Sequence, residues 1–491
     1  MAVQEGALYR AVVEGYASDG SGVARVEGLA VFVRGAVRGE TVDLRIEHIG
    51  HSAAWGHIEG LAVPSPARRE PDCPYYGRCG GCQFRHMSYE EELEAKRLRV
   101  EDALARLGGI HLPVEVIHGA RNTQRYRNKV QFPIAPGAIG YFQGRTHRVV
   151  DIDDCLLQPE VDTVCRAAVK GWMDRFQIPA YRERTGEGLL RHLYLRTNQA
   201  GQALCCLVAN GGTLPHGEKL VAALRGAAPG LAGVVLNVNM KKTNVILGRE
   251  FHTLWGQNWL EEELCGHTFR LSVPSFFQIN RAQTEVLYRR ALDFAGLTGE
   301  ETVVDLYCGI GTISLTLADH ARRVIGVEVV PQAVADARAN AARNGLANKT
   351  RFECGDASAL AARLEGEGIR PDVVVVDPPR KGLAGPGGAG DSGLHGAGAH
   401  RLRLLRPGHP GPGRGPVPSP GLCPPPDGGG GPLPPHRPCG DGPPAGSGRR
   451  GLSGRTAGEK WEHPQGACAL RTHIMSSSSW ASRARSISDR V

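Results

Sequence analysis

Between residues 302 and 377, short apolar runs alternate with helical segments, and this restricts the fold more than any other feature of the 491-residue chain. Thr302–Leu306, Arg323–Glu328, Thr350–Cys354 and a run at 371–377 read as strands buried on both faces. Segments 312–320 and 331–344 read as the helices between them, the second with proline at its start and Asn344-Gly345 at its end. Strands joined by helical crossovers lie parallel, so the pattern predicts a Rossmann-like α/β sheet.

Upstream the pattern differs. Residues 1–60 show five short alternating runs separated by glycine turns, the spacing of a small OB-like β-barrel, a fold that often holds RNA and can also be purely structural. Residues 61–115 hold a proline-bounded linker, a cysteine-rich knot and a charged helix from about Ser88 to Leu107. Residues 116–265 alternate as strands again and predict a mostly antiparallel α+β central domain. The Rossmann-like part is assigned to 266–382 and is incomplete, because the regular pattern stops near residue 383.

Composition explains that stop. Residues 384–450 hold 20 of the 66 glycines and 16 of the 33 prolines. From Leu383 onward there are 13 basic and 6 acidic side chains and no Phe or Tyr, so almost all of the chain's net +8 lies there. Such a Gly/Pro/Arg-rich stretch buries too little apolar surface to offset its ordering entropy, and 383–491 is expected to be disordered. We read it as an out-of-frame continuation of a GC-rich gene. The apolar runs fall far short of the roughly 20 residues of a membrane span, and the N-terminus has no apolar signal core. A cytoplasmic location follows as an expectation. Thirteen cysteines in such a chain point to metal or catalysis before disulfides.

Three of those cysteines are closely spaced, in Cys73-Pro74-Tyr75-Tyr76-Gly77-Arg78-Cys79-Gly80-Gly81-Cys82, and Cys155 is a fourth candidate. Thiolates bind zinc or iron–sulfur centres, and spacing alone does not separate the two. A single short Cys-x2-Cys hook, where structural zinc usually shows two, tilts the reading toward a cluster. Cys165, Cys205, Cys206, Cys265 and Cys354 sit in apolar surroundings and read as small core residues.

The first buried strand runs into Asp305-Leu306-Tyr307-Cys308-Gly309-Ile310-Gly311-Thr312, whose glycines allow close approach of backbone to a ligand where a helix opens. The third glycine of a dinucleotide fingerprint is absent, which argues against NAD. Glu328 ends the next strand, where an acidic side chain can accept from ribose hydroxyls; Asp356 follows the third strand, and Asp377-Pro378-Pro379-Arg380 the fourth.

Taken together, these residues resemble the bacterial RNA uracil-C5 methyltransferases, in particular the 23S ribosomal RNA branch with a TRAM domain and a [4Fe-4S] cluster. The resemblance rests on the barrel, the four cysteines, Ser275-Phe276-Phe277-Gln278-Ile279-Asn280, the Asp305–Thr312 loop, and Asp377-Pro378-Pro379-Arg380-Lys381-Gly382. It implies S-adenosylmethionine as cofactor, lined by Gln278, Tyr307, Thr312, Glu328, Asp356 and Asp377, and Cys73, Cys79, Cys82 and Cys155 as cluster ligands. It implies RNA as partner, most specifically 23S rRNA, with no membrane or DNA partner. Arg380 stands where base-amino methyltransferases carry a base-stacking aromatic.

Uracil C5 takes a methyl group only after a thiolate has added to C6, and a base then removes the C5 proton. The family carries that thiolate in a Ser-Cys-x-Pro-x-Thr motif and the base on a glutamate near the C-terminus. Here the corresponding position 403 is an arginine, Cys423 lies in Leu422-Cys423-Pro424 without the motif, and Glu459 and Glu462 lack the context. No catalytic nucleophile or base is therefore assigned. Cys308, inside the cofactor loop, reads as structural. The sequence thus supports a methyltransferase by descent and, as the alternative, a catalytically inactive RNA-binding iron–sulfur remnant. The basic run from Arg121 to Lys129 is the expected RNA contact outside the barrel.

Overall fold

Five strands close into a barrel at the N-terminus: β1 (Leu8–Tyr16), β2 (Gly22–Val26), β3 (Leu29–Arg34), β4 (Thr41–Ile49) and β5 (Ala53–Val63), in the order β1-β2-β3-β5-β4. Alternation drives it: Val13, Ala24, Val31, Val33, Val42, Leu44 and Ile46 point inward and are buried, while their neighbours face outward. Gly56 is required where β5 crosses β4, since a Cβ there would lie 2.5 Å from the Arg45 carbonyl oxygen. The following linker is tied down by Arg68, which pairs with the fully buried Glu40.

The computed structural model describes residues 3–356, 363, 364, 366–377 and 403–405. The chain divides into two units, Met1–Pro407 with Ser477–Val491, and Gly408–Ser476, and all described residues belong to the first. The expected charged helix is α1 (Tyr89–Gly108). Ser88 caps it by accepting the Glu91 N–H at 3.3 Å, and Gly109 ends it in the left-handed region at φ 60°. Its Glu91 carboxylate accepts from Tyr16 Oη at 2.8 Å and pairs with Arg38, so the helix is fastened to the barrel.

The central domain is a seven-stranded sheet built from β6 (Lys129–Ala135), β7 (Ala138–Phe142), β8 (Val149–Asp151), β9 (Leu190–Thr197), β10 (Ala203–Ala209), β11 (Leu231–Val238) and β12 (Glu250–Gly256). The order is β12-β11-β10-β9-β6-β7-β8, and β10 with β11 is its parallel pair. Helices α2 (Glu160–Phe176) and α3 (Gly217–Ala227) cover one face through Cys165, Val169, Trp172, Leu220 and Leu224. The other face meets Leu260 and Val273 around the hairpin of β13 (Trp259–Leu264) and β14 (His267–Ser272). Both faces of β10 are covered, which is why its sequence reads as unbroken apolar residues.

The C-terminal sheet comprises β15 (Thr302–Leu306), β16 (Arg323–Glu328), β17 (Thr350–Cys354), β18 (Val373–Val376) and β19 (Arg403–Leu405), ordered β17-β16-β15-β18-β19. Helices α4 (Arg281–Ala295), α5 (Thr312–Ala318) and α6 (Pro331–Arg343) accompany it. The first four strands are parallel and run out to opposite sides of β15, creating the switch point at which α/β sheets take ligands. One expectation is corrected. The 383–491 segment was assigned to disorder, yet residues 403–405 pair antiparallel with β18, Val376 opposite Arg403. The free edge of an all-valine strand offers unpaired N–H and C=O groups, and the tail supplies a partner for them. The rest of that segment, with Cys423, Glu459 and Glu462, lies outside the described residues, as does Arg380.

Candidate functional site

The turn after β15 bends sharply: Tyr307, Gly309 and Gly311 all have positive φ, at 69°, 55° and 84°. Gly311 also faces the Phe352 ring, 3.1 Å from where a Cβ would stand, and Gly326 beneath the loop is closed in by Phe352 and Cys308. Glycine at these places lets the loop lie flat on β16. The Cys308 N–H donates to the Val327 carbonyl at 3.0 Å. The Glu328 carboxylate accepts from the N–H of Gly309 at 3.2 Å and of Val330 at 2.9 Å, which fixes it at the mouth of the strand.

Four carboxylates gather at the strand ends. Asp305 is fully buried, accepts from Ser314 Oγ, and leaves its Oδ1 without a hydrogen-bond partner. Burial pushes its carboxyl up to about 7, Ser314 draws it down, and the charges of Asp377 and Glu328 push it up further. The Tyr307 hydroxyl is raised, mainly by burial and then by Asp356 and Glu328. Tyr307 thus has Asp356 and Glu328 as its charged neighbours, and Asp305 has Asp377 and Glu328. Thr312 opens α5, its Oγ1 2.8 Å from Tyr288 Oη. Cys308 is buried and burial drives its thiol far above the ordinary value, the opposite of an activated nucleophile.

Gln278 lies in the 275–280 segment that precedes α4. Its side chain is buried, and its main-chain carbonyl accepts from Asn128 Nδ2 at 2.9 Å. The Asn128 N–H donates to Ile279 O at 3.0 Å, and Arg127 bridges Asn280. The start of β6 thus clamps the 275–280 segment onto the central domain. Phe277 enters the core, whereas Phe276 is 56% exposed with the Lys129 ammonium 5.6 Å from its ring centre.

The four candidate metal-ligating cysteines, more than 70 residues apart at the extremes, line one cavity of about 40 Å³ together with Arg85, Arg127, Tyr75, Tyr76 and Tyr141. That is roughly three times the space a single water needs. Burial raises the thiols of Cys79 and Cys82 and pushes Cys155 up to about 11, so these three stay protonated without a metal. Among the described residues no three His, Cys, Asp or Glu side chains close on a single ion. Four thiols spread around a cavity beside two guanidinium groups suit a larger, anionic group better than one zinc ion. Arg125 holds the loop that brings Cys155 in: it pairs with Asp154 at 2.7 Å and donates to the carbonyls of Cys155 at 3.1 Å and Gln158 at 2.9 Å.

The chain matches the TRAM domain over residues 2–50 and a methyltransferase domain over 303–376. An RNA methyltransferase of Clostridium tetani is 40% identical over 385 residues, covering 77% of this chain and 84% of the relative. One from Halalkalibacterium halodurans is 40% identical over 386 residues, with 77% and 84% covered. Among solved structures, the Pyrococcus abyssi tRNA (uracil-54, C5)-methyltransferase in complex with S-adenosyl-L-homocysteine superposes with a TM-score of 0.61 at 25% identity, over 76% of this chain and 84% of that one.

The chain belongs to the RNA uracil methyltransferase family. It is a methyltransferase of the S-adenosylmethionine-dependent kind, with an RNA-binding TRAM barrel ahead of its Rossmann-like domain. Among the described residues, no helix is long and apolar enough to cross a membrane.

Sequence reasoning passed over Asn128, Tyr288, Ser314 and Arg196 in this methyltransferase. Tyr288 and Ser314 carry no motif of their own; they matter through one hydrogen bond each. Asn128 sits inside the basic run from Arg121 to Lys129, where nothing in the sequence marks a single amide as a clamp. Arg196 lies in β9, LRHLYLRT, where nothing in the sequence marks which of its polar residues is buried.

Proposed function

We propose that this chain methylates C5 of uracil in 23S ribosomal RNA, with S-adenosylmethionine held at the carboxyl ends of β15 to β18. The observation that carries the reading is that Glu328, Asp356 and Asp377 stand at or just past the carboxyl ends of the parallel strands β16, β17 and β18, beside the glycine turn that follows β15. A sheet edge so acidic favours a ligand that carries positive charge, and S-adenosylmethionine brings a sulfonium and an ammonium. Glu328 faces the ribose side, Tyr307 and Asp356 the adenine side, and Gln278, Thr312 and Asp377 the remainder. Cys73, Cys79, Cys82 and Cys155 are proposed to hold a [4Fe-4S] cluster, which supplies a structural cross-link between the 61–115 segment and the central domain. The preference for ribosomal over transfer RNA rests on the barrel and the four cysteines occurring together.

The thiolate required at uracil C6 does not come from Cys308, whose thiol is buried and protonated. Should label be incorporated, Cys423, outside the described residues, is the first cysteine to mutate. A 23S rRNA fragment incubated with the full chain and methyl-labelled S-adenosylmethionine is expected to gain label, and to lose that gain in Glu328→Gln. A second reading is favoured by Arg403, which stands opposite Val376 where the family motif would place its nucleophile. On that reading the protein binds RNA and cofactor without transfer. Binding of both with no incorporated label supports the second reading and refutes the first.

A further inference from the structure

One face of the central sheet carries Lys129 and Arg196, which no carboxylate among the described residues meets, beside Arg127, which also lines the cysteine cavity. Lys129 on β6 and Arg196 on β9 are directly opposed in the antiparallel register, and Arg127 lies two residues before Lys129 on the same face. Like charges directly opposite across a sheet repel. Arg196 is only 1% exposed, and its one donating nitrogen is spent on Ser275 O at 2.5 Å and Tyr194 Oη at 2.9 Å. Its Nε and Nη1, and the Nε of Arg127, are buried without a hydrogen-bond partner. Among the described residues none of the three meets a carboxylate, and the Lys129 ammonium is drawn down to about 8 by burial and by the two arginines. Phe276 roofs Lys129 on the side of the 275–280 segment. A fold that buries an unpaired guanidinium beside two more cations is built for an anion to arrive.

We propose that Arg127, Lys129 and Arg196 form a phosphate-binding site that seats one phosphodiester of the substrate RNA beside the 275–280 segment. The inference rests on the RNA-substrate reading above. The cofactor's own carboxylate is the other anion within the same chemistry, but it arrives with an ammonium and a sulfonium and so brings no net negative charge to Lys129 and Arg196. A backbone phosphate comes with a run of further negative charge. The site ties RNA seating to the loop that carries Gln278, because Arg196 donates to Ser275 O within that loop.

The test measures binding of a 23S rRNA stem-loop to the full chain across a salt series, for wild type, Lys129→Met and Lys129→Arg, with Arg175→Gln as a remote control. S-adenosylhomocysteine affinity is measured for each. The account expects Lys129→Met to weaken RNA binding about five- to tenfold at 0.1 M salt and to reduce the salt slope by about 0.7–0.9, one phosphate's worth. Lys129→Arg and Arg175→Gln are expected to keep both, and cofactor affinity to hold throughout. The melting temperature of Lys129→Met without RNA is expected to stay level or rise, since a repulsion is removed; a purely structural lysine would lower it. Unchanged RNA binding in Lys129→Met overturns this site alone. A selective loss of cofactor affinity overturns it in favour of the carboxylate. A wild type that binds no RNA overturns the RNA reading and the site with it.

Discussion

Asn128 Nδ2 donates to the Gln278 carbonyl oxygen at 2.9 Å, joining two domains whose partners lie 150 residues apart in sequence. The contact is buried, and Asn128 also exchanges a main-chain bond with Ile279. Asn128→Ala should therefore destabilise the protein by about 1–3 kcal/mol, the cost of an unmet buried carbonyl. It should also loosen Gln278 and weaken S-adenosylhomocysteine binding. Asn128→Asp should be worse at neutral pH, since a carboxylate would face the carbonyl. Denaturant melts and calorimetry check both; an Asn128→Asp protein as stable as Asn128→Ala would refute the geometry.

Glu328 spends its two oxygens on the N–H groups of Gly309 and Val330, which positions it without neutralising it. Glu328→Gln keeps most of that frame and removes the charge. Cofactor affinity should fall on the order of tenfold or more while the melting temperature moves little. A large melting shift with unchanged affinity would mean that Glu328 only braces the loop.

Gly326 lies under the Phe352 ring and the Cys308 sulfur, with a Cβ placed 2.7 and 2.9 Å from them. Gly326→Ala should cost about 1–3 kcal/mol through overpacking, read as a lower urea midpoint. An unshifted midpoint would contradict the packing described for the cofactor loop.

The Asp162 carboxyl is buried without a hydrogen-bond partner, and burial pushes it up to about 8. Folded protein then keeps a proton that the unfolded chain, with an ordinary carboxyl near 4, has lost. Its stability contribution is full below about pH 4 and is lost progressively as pH rises toward about 8. Asp162→Asn should remove that loss, so its advantage in melting temperature should grow from pH 5 to pH 8 and reach roughly 5 °C or more. A constant gap across that range would refute the assignment.

The cysteine cavity makes a spectroscopic prediction. Anaerobically prepared protein should show broad visible absorbance that Cys155→Ser abolishes, and Arg125→Ala, which frees the Cys155 loop, should reduce iron content. Unaltered absorbance in Cys155→Ser would refute its role as a ligand.

The architecture was readable because periodicity reports burial: the barrel's two-residue alternation and the βαβ pattern both appear as hydrophobic spacing. Glu328, Asp356 and Asp377 were readable as strand-end residues, because a βαβ pattern alone brings such positions to the carboxyl edge of the sheet. The clamp through Asn128 was not, since it depends on how two domains meet. Arg196 was hidden for a different reason: its run reads as a strand, but nothing in that pattern says that this arginine is buried. Helices α2 and α3 were passed over because their segments of the central domain were read only for strands. β19 escaped because three residues in a Gly/Pro-rich setting carry no period.

The most direct test is release of tritium from 23S rRNA transcribed with 5-tritiated uridine, since only chemistry at C5 displaces that label. Full-length protein should release tritium in proportion to methyl groups incorporated, and only when S-adenosylmethionine is present. Methyl incorporation without tritium release would contradict the account.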